Sequence, residues 1–142
     1  MINIIVSILS YDIWFYISHV ILHTKYFYKY HKEHHYRKIN LTFTDTFIGS
    51  WFEHVFQGVG MFLPYIFIKY SILECILTLL FLNIRGMLRH DYRCSWLIGD
   101  HHLIHHLHFN YNYGEYWIDY ICKTEWHNCK NIYLQKIKIL NI

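Results

Sequence analysis

The stretch that decides the fold is His101-His102-Leu103-Ile104-His105-His106-Leu107-His108, with five histidines in eight residues. On an α-helix, residues three and four apart share a face. His102 therefore meets His105 and His106, and His101 with His105 forms a further pair. His108 falls outside that pattern and reads as a surface or supporting residue. The same spacing occurs upstream in His31-Lys32-Glu33-His34-His35, where His31 pairs with both His34 and His35. Before it stands His19-Val20-Ile21-Leu22-His23, a pair four apart. His90, in Arg89-His90-Asp91-Tyr92, is isolated and draws its meaning from the clusters around it.

Imidazole is a ligand for iron, zinc, copper and nickel. A tetrahedral zinc takes four ligands, so eight or nine clustered histidines point to two metal ions. Ring nitrogens must be neutral to ligate, so binding should weaken in acid. Carboxylates beside the ligands would orient the rings. Asp12 lies two helical turns before His19, and Asp100, Glu33 and Asp91 are the other candidates; for Glu33 and Asp91 a solvated charge is the simpler reading. His54 and His127 read as bystanders.

Composition sets the surroundings. The chain has 142 residues, of which 54% are hydrophobic, 20% aromatic and 16% charged. An ordinary soluble domain carries about 25% charged residues, so the expectation is one membrane-associated domain. Disordered and collagen-like classes are excluded by the aromatic content and by only 6 Gly and 1 Pro. A net charge of +3 is too small and too dispersed for nucleic-acid binding. Cys75, Cys94, Cys122 and Cys129 show no Cys-x-x-Cys spacing, which argues against a zinc ribbon or a disulfide framework and for reduced thiols.

Residues Ile2 to Leu22 are apolar and near the ~20 residues needed to cross a bilayer. They lack the basic start and cleavage site of a signal peptide. Lys25, Lys29, Lys32, Arg37 and Lys38 follow, marking a cytoplasmic exit by the positive-inside rule. A second apolar region, 47–84, is divided by Pro64 and Lys69 and predicts a membrane hairpin of two antiparallel halves. Arg85, Arg89 and Arg93 follow it, so both histidine-rich regions are expected on the cytosolic face. The sequon Asn40-Leu41-Thr42 should then stay unmodified. Residues 101–124 hold the third histidine cluster and an aromatic tail.

Other metal and nucleotide motifs fail. No His-Glu-x-x-His is present. His31-Lys32-Glu33 has no Pro-Cys-x-x-Cys after it, so it is no deaminase signature. Gly58 and Gly60 are too isolated for a dinucleotide fingerprint.

The ordered series His-x-x-x-His, His-x-x-His-His, lone His and His-x-x-His-His resembles the fatty acid hydroxylase superfamily, which includes sterol desaturases, sterol methyl oxidases and sphingolipid hydroxylases. Asp12-Ile13-Trp14-Phe15-Tyr16 is similar to that family's Asp-x-x-Phe-Tyr lead-in. Thr24, Tyr28, Glu53, His90 and Asn112-Tyr113-Gly114 also fit, over roughly 12–124. The resemblance implies an all-α integral membrane protein with a cytosolic histidine-rich di-metal core. Its ligands would be His19, His23, His31, His34, His35, His90, His102, His105 and His106. Asp12, Asp100, His101 and Asn112 would support or supplement them. It further implies two iron ions (zinc being the alternative occupant), dioxygen and an external reductant. The substrate would be a membrane lipid and the electron donor a b-type cytochrome or similar protein, in the endoplasmic reticulum or its equivalent. The implied reaction is hydroxylation or desaturation of a fatty acid, sterol or sphingolipid.

Departures from the pattern motivate a second expectation. The family places one or two membrane segments before its first histidine pair, whereas His19 lies almost at the start here. Ile118 separates Trp117 from Asp119, and Cys122-Lys123-Thr124 stands where the family has Phe-Gly-Thr. A non-catalytic relative that keeps metal for structure, or partners another membrane hydroxylase, is the alternative. A histidine-rich metal buffer or transporter is a third.

Overall fold

The computed structural model describes residues 2–126; His127 and Cys129 lie outside the described residues. The described residues are helical, without strands. The α-helices are α1 (Ile2–Leu22), α2 (Tyr28–His31), α3 (Trp51–Gly58), α4 (Ile72–His90), α5 (Ser95–Ile98), α6 (His101–Leu107) and α7 (Tyr116–Cys122). Short 3-10 turns connect several of them, at His34–Tyr36, Phe43–Phe47, Val59–Met61, Leu63–Ile66 and Tyr92–Cys94.

Helix α1 has two faces because its side chains repeat every three to four positions. Ser7, Asp12, Phe15, Ser18, His19 and Leu22 are buried against the rest of the chain. Ile2, Ile5, Leu9, Ile13 and Ile17 form an exposed apolar stripe on the other side. Among the described residues, α1 is the one helix both long and apolar enough to cross a membrane.

Helix α4 begins at a capping box. Ser71 Oγ accepts from the Glu74 amide, and the Glu74 carboxylate accepts from the Ser71 amide. It runs parallel to α1, as three levels of contact show. Asn3 donates to Glu74 (3.1 Å), Arg85 pairs with Asp12, and the Arg89 guanidinium lies 5.3 Å from the Phe15 ring centroid. Two parallel helices deliver their C-terminal ends to the same place, and those ends carry His19 and His90.

Residues 47–84, expected as a membrane hairpin, contain α3, two 3-10 turns and most of α4. The first leg descends antiparallel to α1 as α3 followed by the 3-10 turns Val59–Met61 and Leu63–Ile66. Gly58, Gly60 and Pro64 are poor helix formers and interrupt it. Gly60 is needed where it stands, because a Cβ there would lie 2.5 Å from Cδ1 of Trp14. Trp14 in turn donates from Nε1 to the Phe56 carbonyl (2.8 Å). The second leg continues as α4 to His90, so Arg85 and Arg89 are helix residues, paired with buried Asp12 and half-buried Glu115.

Candidate metal centre

The structure brings together all nine histidines of the expected ligand set and sorts them into two groups. His19, His23, His31, His35 and His105 form one; His34, His90, His102 and His106 form the other. Within each group the candidate ligand atoms lie within 4.8 Å of one another. All but His23 are buried.

The groups cut across the sequence clusters. His31 and His35 enter the five-histidine group while His34 enters the other. His105 likewise leaves its neighbours His102 and His106. Consecutive residues on a helical turn point about 100° apart, so His34 and His35 face different ways, as do His105 and His106. The second and third clusters are thus each shared between the two groups, whereas His19 and His23 stay together. The groups adjoin: the rings of His31 and His34 are stacked at 5.1 Å, and those of His35 and His106 lie 4.7 Å apart.

Hydrogen bonds at Nδ1 fix the tautomers. His19 Nδ1 donates to the Tyr113 carbonyl (2.5 Å), His34 Nδ1 to Ile48 (2.9 Å), His90 Nδ1 to Gly86 (2.9 Å) and His105 Nδ1 to Tyr111 (2.6 Å). His31 Nδ1 donates to Oε1 of Glu53 at 2.8 Å. A proton on Nδ1 leaves Nε2 of a neutral ring with a bare lone pair. Yet Nε2 of His19 lies 3.0 Å from Nε2 of His31, and Nε2 of His34 lies 3.1 Å from Nε2 of His90. Two lone pairs facing each other at that distance repel unless a cation is shared between them. His35 Nε2 is likewise 2.9 Å from His31 Nε2 and 3.2 Å from His105 Nε2, and His102 Nε2 is 3.0 Å from His90 Nε2. Among the described residues, neither ring nitrogen of buried His106 has a hydrogen-bond partner. These are the donors a metal ion would satisfy, and neutral imidazole suits a first-row transition metal.

Burial keeps the rings neutral. The pKa of His31 is lowered to about 3 by burial. That of His23 is lowered to about 3 by burial, with His31 and His34 adding repulsion. His35, His102, His105 and His106 are lowered in the same direction for the same first reason.

The remaining expected residues are placed differently. Asp12 does not orient a histidine: its carboxylate pairs with Arg85, and the pair extends through Glu115 to Arg89. Helical spacing put Asp12 on the buried face, but a cation 73 residues away claims it. His101 stays outside both groups, with Nε2 2.9 Å from Oδ2 of Asp119. Asp100 is the N-cap residue of α6 and makes no side-chain cap hydrogen bond. Asn112, at φ 57°, donates to the His101 carbonyl (3.0 Å) and accepts from the Trp126 amide (2.8 Å), so it ties loops together. Asp91 pairs with Arg93, Glu33 is exposed, and His108 stacks on Trp126 at 4.1 Å.

Two carboxylates matter more than their sequence signals suggested. Glu53, recognised only by resemblance, grips His31. Asp119 is fully buried and accepts from the amides of Tyr113 (2.9 Å) and Gly114 (2.8 Å) and from Oγ1 of Thr124 (2.6 Å). It thereby positions the Tyr113 carbonyl that holds His19. Lys123 sits at φ 56°, a left-handed position suited to the glycine of the family pattern.

A cavity of about 400 Å³ lies between α1, α3, α4 and the Phe43–Phe47 turn. Phe15, Phe47, Met61 and Leu82 supply apolar walls, Tyr11 and Gln57 polar ones, and His34, His90 and Glu53 its inner end.

Among the described residues, an all-helical fold with an apolar helix beside two histidine groups defines the class: a histidine-cluster protein able to hold metal ions. Residues 4–124 match the family model described as Fatty acid hydroxylase, and the chain belongs to that family. No curated protein and no solved structure matches it. Family and apolar helix together suggest membrane association and an oxidoreductase of the lipid hydroxylase or desaturase type.

Proposed function

We propose that the chain is a di-iron lipid hydroxylase or desaturase whose nine clustered histidines hold the two ions. The observation that carries this reading is the pair of lone-pair contacts, His19–His31 and His34–His90, at 3.0 and 3.1 Å in a buried setting. When bound, the two ions supply the oxidising power, with dioxygen and two external electrons, to attack an unactivated C–H bond that acid–base groups cannot break.

The protein's own contribution is positioning. Backbone carbonyls and Glu53 hold five rings by Nδ1, which aims Nε2 inward and raises the basicity of the ligand. The cavity brings an apolar segment of substrate to His34 and His90 and excludes bulk water. A fatty acid, sterol or sphingolipid supplies such a segment. We place the histidine end of the molecule on the cytosolic face of the endoplasmic reticulum or an equivalent membrane, where a b-type cytochrome or similar protein delivers electrons.

The test is metal analysis of the purified chain together with lipid profiling of cells expressing it, wild type against His34→Ala. About two irons per chain and a new hydroxylated or desaturated lipid that disappears in His34→Ala are expected. Absence of any bound transition metal overturns the reading. Bound metal without a lipid product supports the non-catalytic relative instead.

A further inference from the structure

We infer that the chain binds one anionic phospholipid on its outer surface, with an acyl chain in a groove beside α1 and the phosphate at Lys25 and Lys29. This lipid is not the substrate, and its binding rests on the membrane association of the chain, not on the metal centre. The groove has a volume of about 240 Å³ and is walled by Ile13, Trp14 and Ile17 of α1 and by Leu63, Pro64 and Phe67, with Ser10 beside them. Ile13, Ile17 and Phe67 are exposed. Residues two apart on a helix point about 200° apart. Ile13 and Ile17 therefore lie opposite Tyr11 and Phe15, the two α1 residues that line the cavity at His34 and His90. The groove and that cavity share no residue.

The cations stand where such a lipid would place its phosphate. About 14 Å of helix separates Ile13 from Leu22, close to the roughly 15 Å of half a bilayer's hydrocarbon core. Lys25 and Lys29 follow in the turn and short helix after α1, and both are exposed. Glu33 is the one acidic residue in 23–38. Basic clusters directly after a membrane helix attract anionic lipid. Rings link these cations to the groove. Lys29 Nζ lies 4.8 Å from the Tyr30 ring centroid. Tyr30 packs on Phe52 at 4.5 Å, Phe52 on Phe56 at 5.6 Å, and Phe56 on Trp14 at 5.6 Å. Trp51, 77% exposed, joins this ladder 6.2 Å from Phe52, and amphipathic rings settle at the headgroup level. An acidic protein would satisfy the lysines but leave the groove uncovered. An uncharged lipid would fill the groove but give the lysines no counter-ion. A lipid with an anionic phosphate head meets both.

The experiment uses the full chain in an uncharged detergent, titrated with phosphatidylglycerol or phosphatidylcholine brominated in mid-chain, and reads the quenching of tryptophan fluorescence. Trp14 puts a reporter in the groove wall. Phosphatidylglycerol is expected to bind about tenfold more tightly, as two lysines at a membrane surface imply, and to saturate near one lipid per chain. Lys25→Gln with Lys29→Gln should bring its affinity down to that of phosphatidylcholine. Ile13→Phe with Ile17→Phe should narrow the groove and weaken both lipids roughly tenfold, the effect of about two methylene groups left unburied. Both variants change exposed side chains, and an unchanged circular dichroism spectrum checks their fold; if the groove variant fails to fold, the lysine variant decides alone. Equal affinity of the two lipids for the wild type overturns the proposal. So does a preference that survives in the lysine variant, or quenching unchanged in a folded groove variant. Displacement of phosphatidylglycerol by an equal concentration of soluble glycerol phosphate would show a free-phosphate site and also overturn it. None of these readouts depends on metal content or on a lipid product, so this proposal and the di-iron reading fail separately.

Discussion

Oε1 of Glu53 lies 2.8 Å from Nδ1 of His31, and neither side chain has appreciable contact with solvent. A carboxylate in this place fixes the ring's tautomer and its rotation, so Nε2 can point only at the other histidines of its group. Removing such a support typically costs 10–100-fold in metal affinity. Glu53→Ala is expected to lose metal to a competing chelator within that range. Glu53→Gln keeps an acceptor oxygen and should lose less. Equal retention by wild type and Glu53→Ala would show that the contact does not orient the ligand.

Asp119 supports the same group at one remove. Asp119→Ala strands the buried amides of Tyr113 and Gly114, and each orphaned donor costs about 1–3 kcal/mol. A loss of about 3 kcal/mol is expected from thermal or denaturant unfolding in detergent. Because the Tyr113 carbonyl holds His19, metal content should fall with it.

Arg85 and Asp12 join α4 to α1 through a buried ion pair. Breaking one partner of such a pair costs about 3–5 kcal/mol, because the other is left charged and desolvated. Arg85→Leu should therefore destabilise strongly. The double variant Asp12→Leu with Arg85→Leu should recover part of the loss. Additive losses would indicate that the two side chains act independently.

Acid should unfold the metal-free chain. His31 is lowered to about 3 in the folded state from its ordinary 6.5. Below pH 6.5 the unfolded chain takes up a proton there that the folded chain refuses, so stability falls as pH falls from about 6.5 towards 3 and is flat above. At pH 5 this one group costs about 2 kcal/mol; His23 acts in the same direction, and Glu53, pushed up to about 7 by burial, offsets part of the loss. A pH series of melting temperatures should be level above pH 7 and drop steadily below about 6, with the drop shifted to lower pH by bound metal.

Helical periodicity made the ligand set readable: His19 with His23 and His102 with His106 each lie four apart on one face. Periodicity could not say which ion each ring serves, because one residue of offset between His34 and His35 sends them to different groups. Long-range partners were hidden for another reason. Asp12 looked like a histidine's support from local spacing, and only the parallel packing of α1 on α4 reveals Arg85 as its partner. Residues 47–66 are rich in apolar side chains, but Gly58, Gly60 and Pro64 turn them into short pieces, and Gly60 packs against Trp14.

The packing of the centre has a consequence for how the molecule stays folded. Among the described residues the buried apolar cluster is small, made of Leu41, Leu103 and Ile104, with Phe15, Leu22, Leu82 and Ile118 buried elsewhere. The space a soluble domain would fill with aliphatic side chains is filled here by imidazoles whose lone pairs oppose one another. Metal ions bound there would turn this repulsion into coordination and act as rivets, joining α1, the 31–36 segment, α4 and α6 at one point. Binding energy at such a site is folding energy. A strong chelator would thus act on this molecule as a denaturant, and metal supply in the cell would set how much of the chain survives.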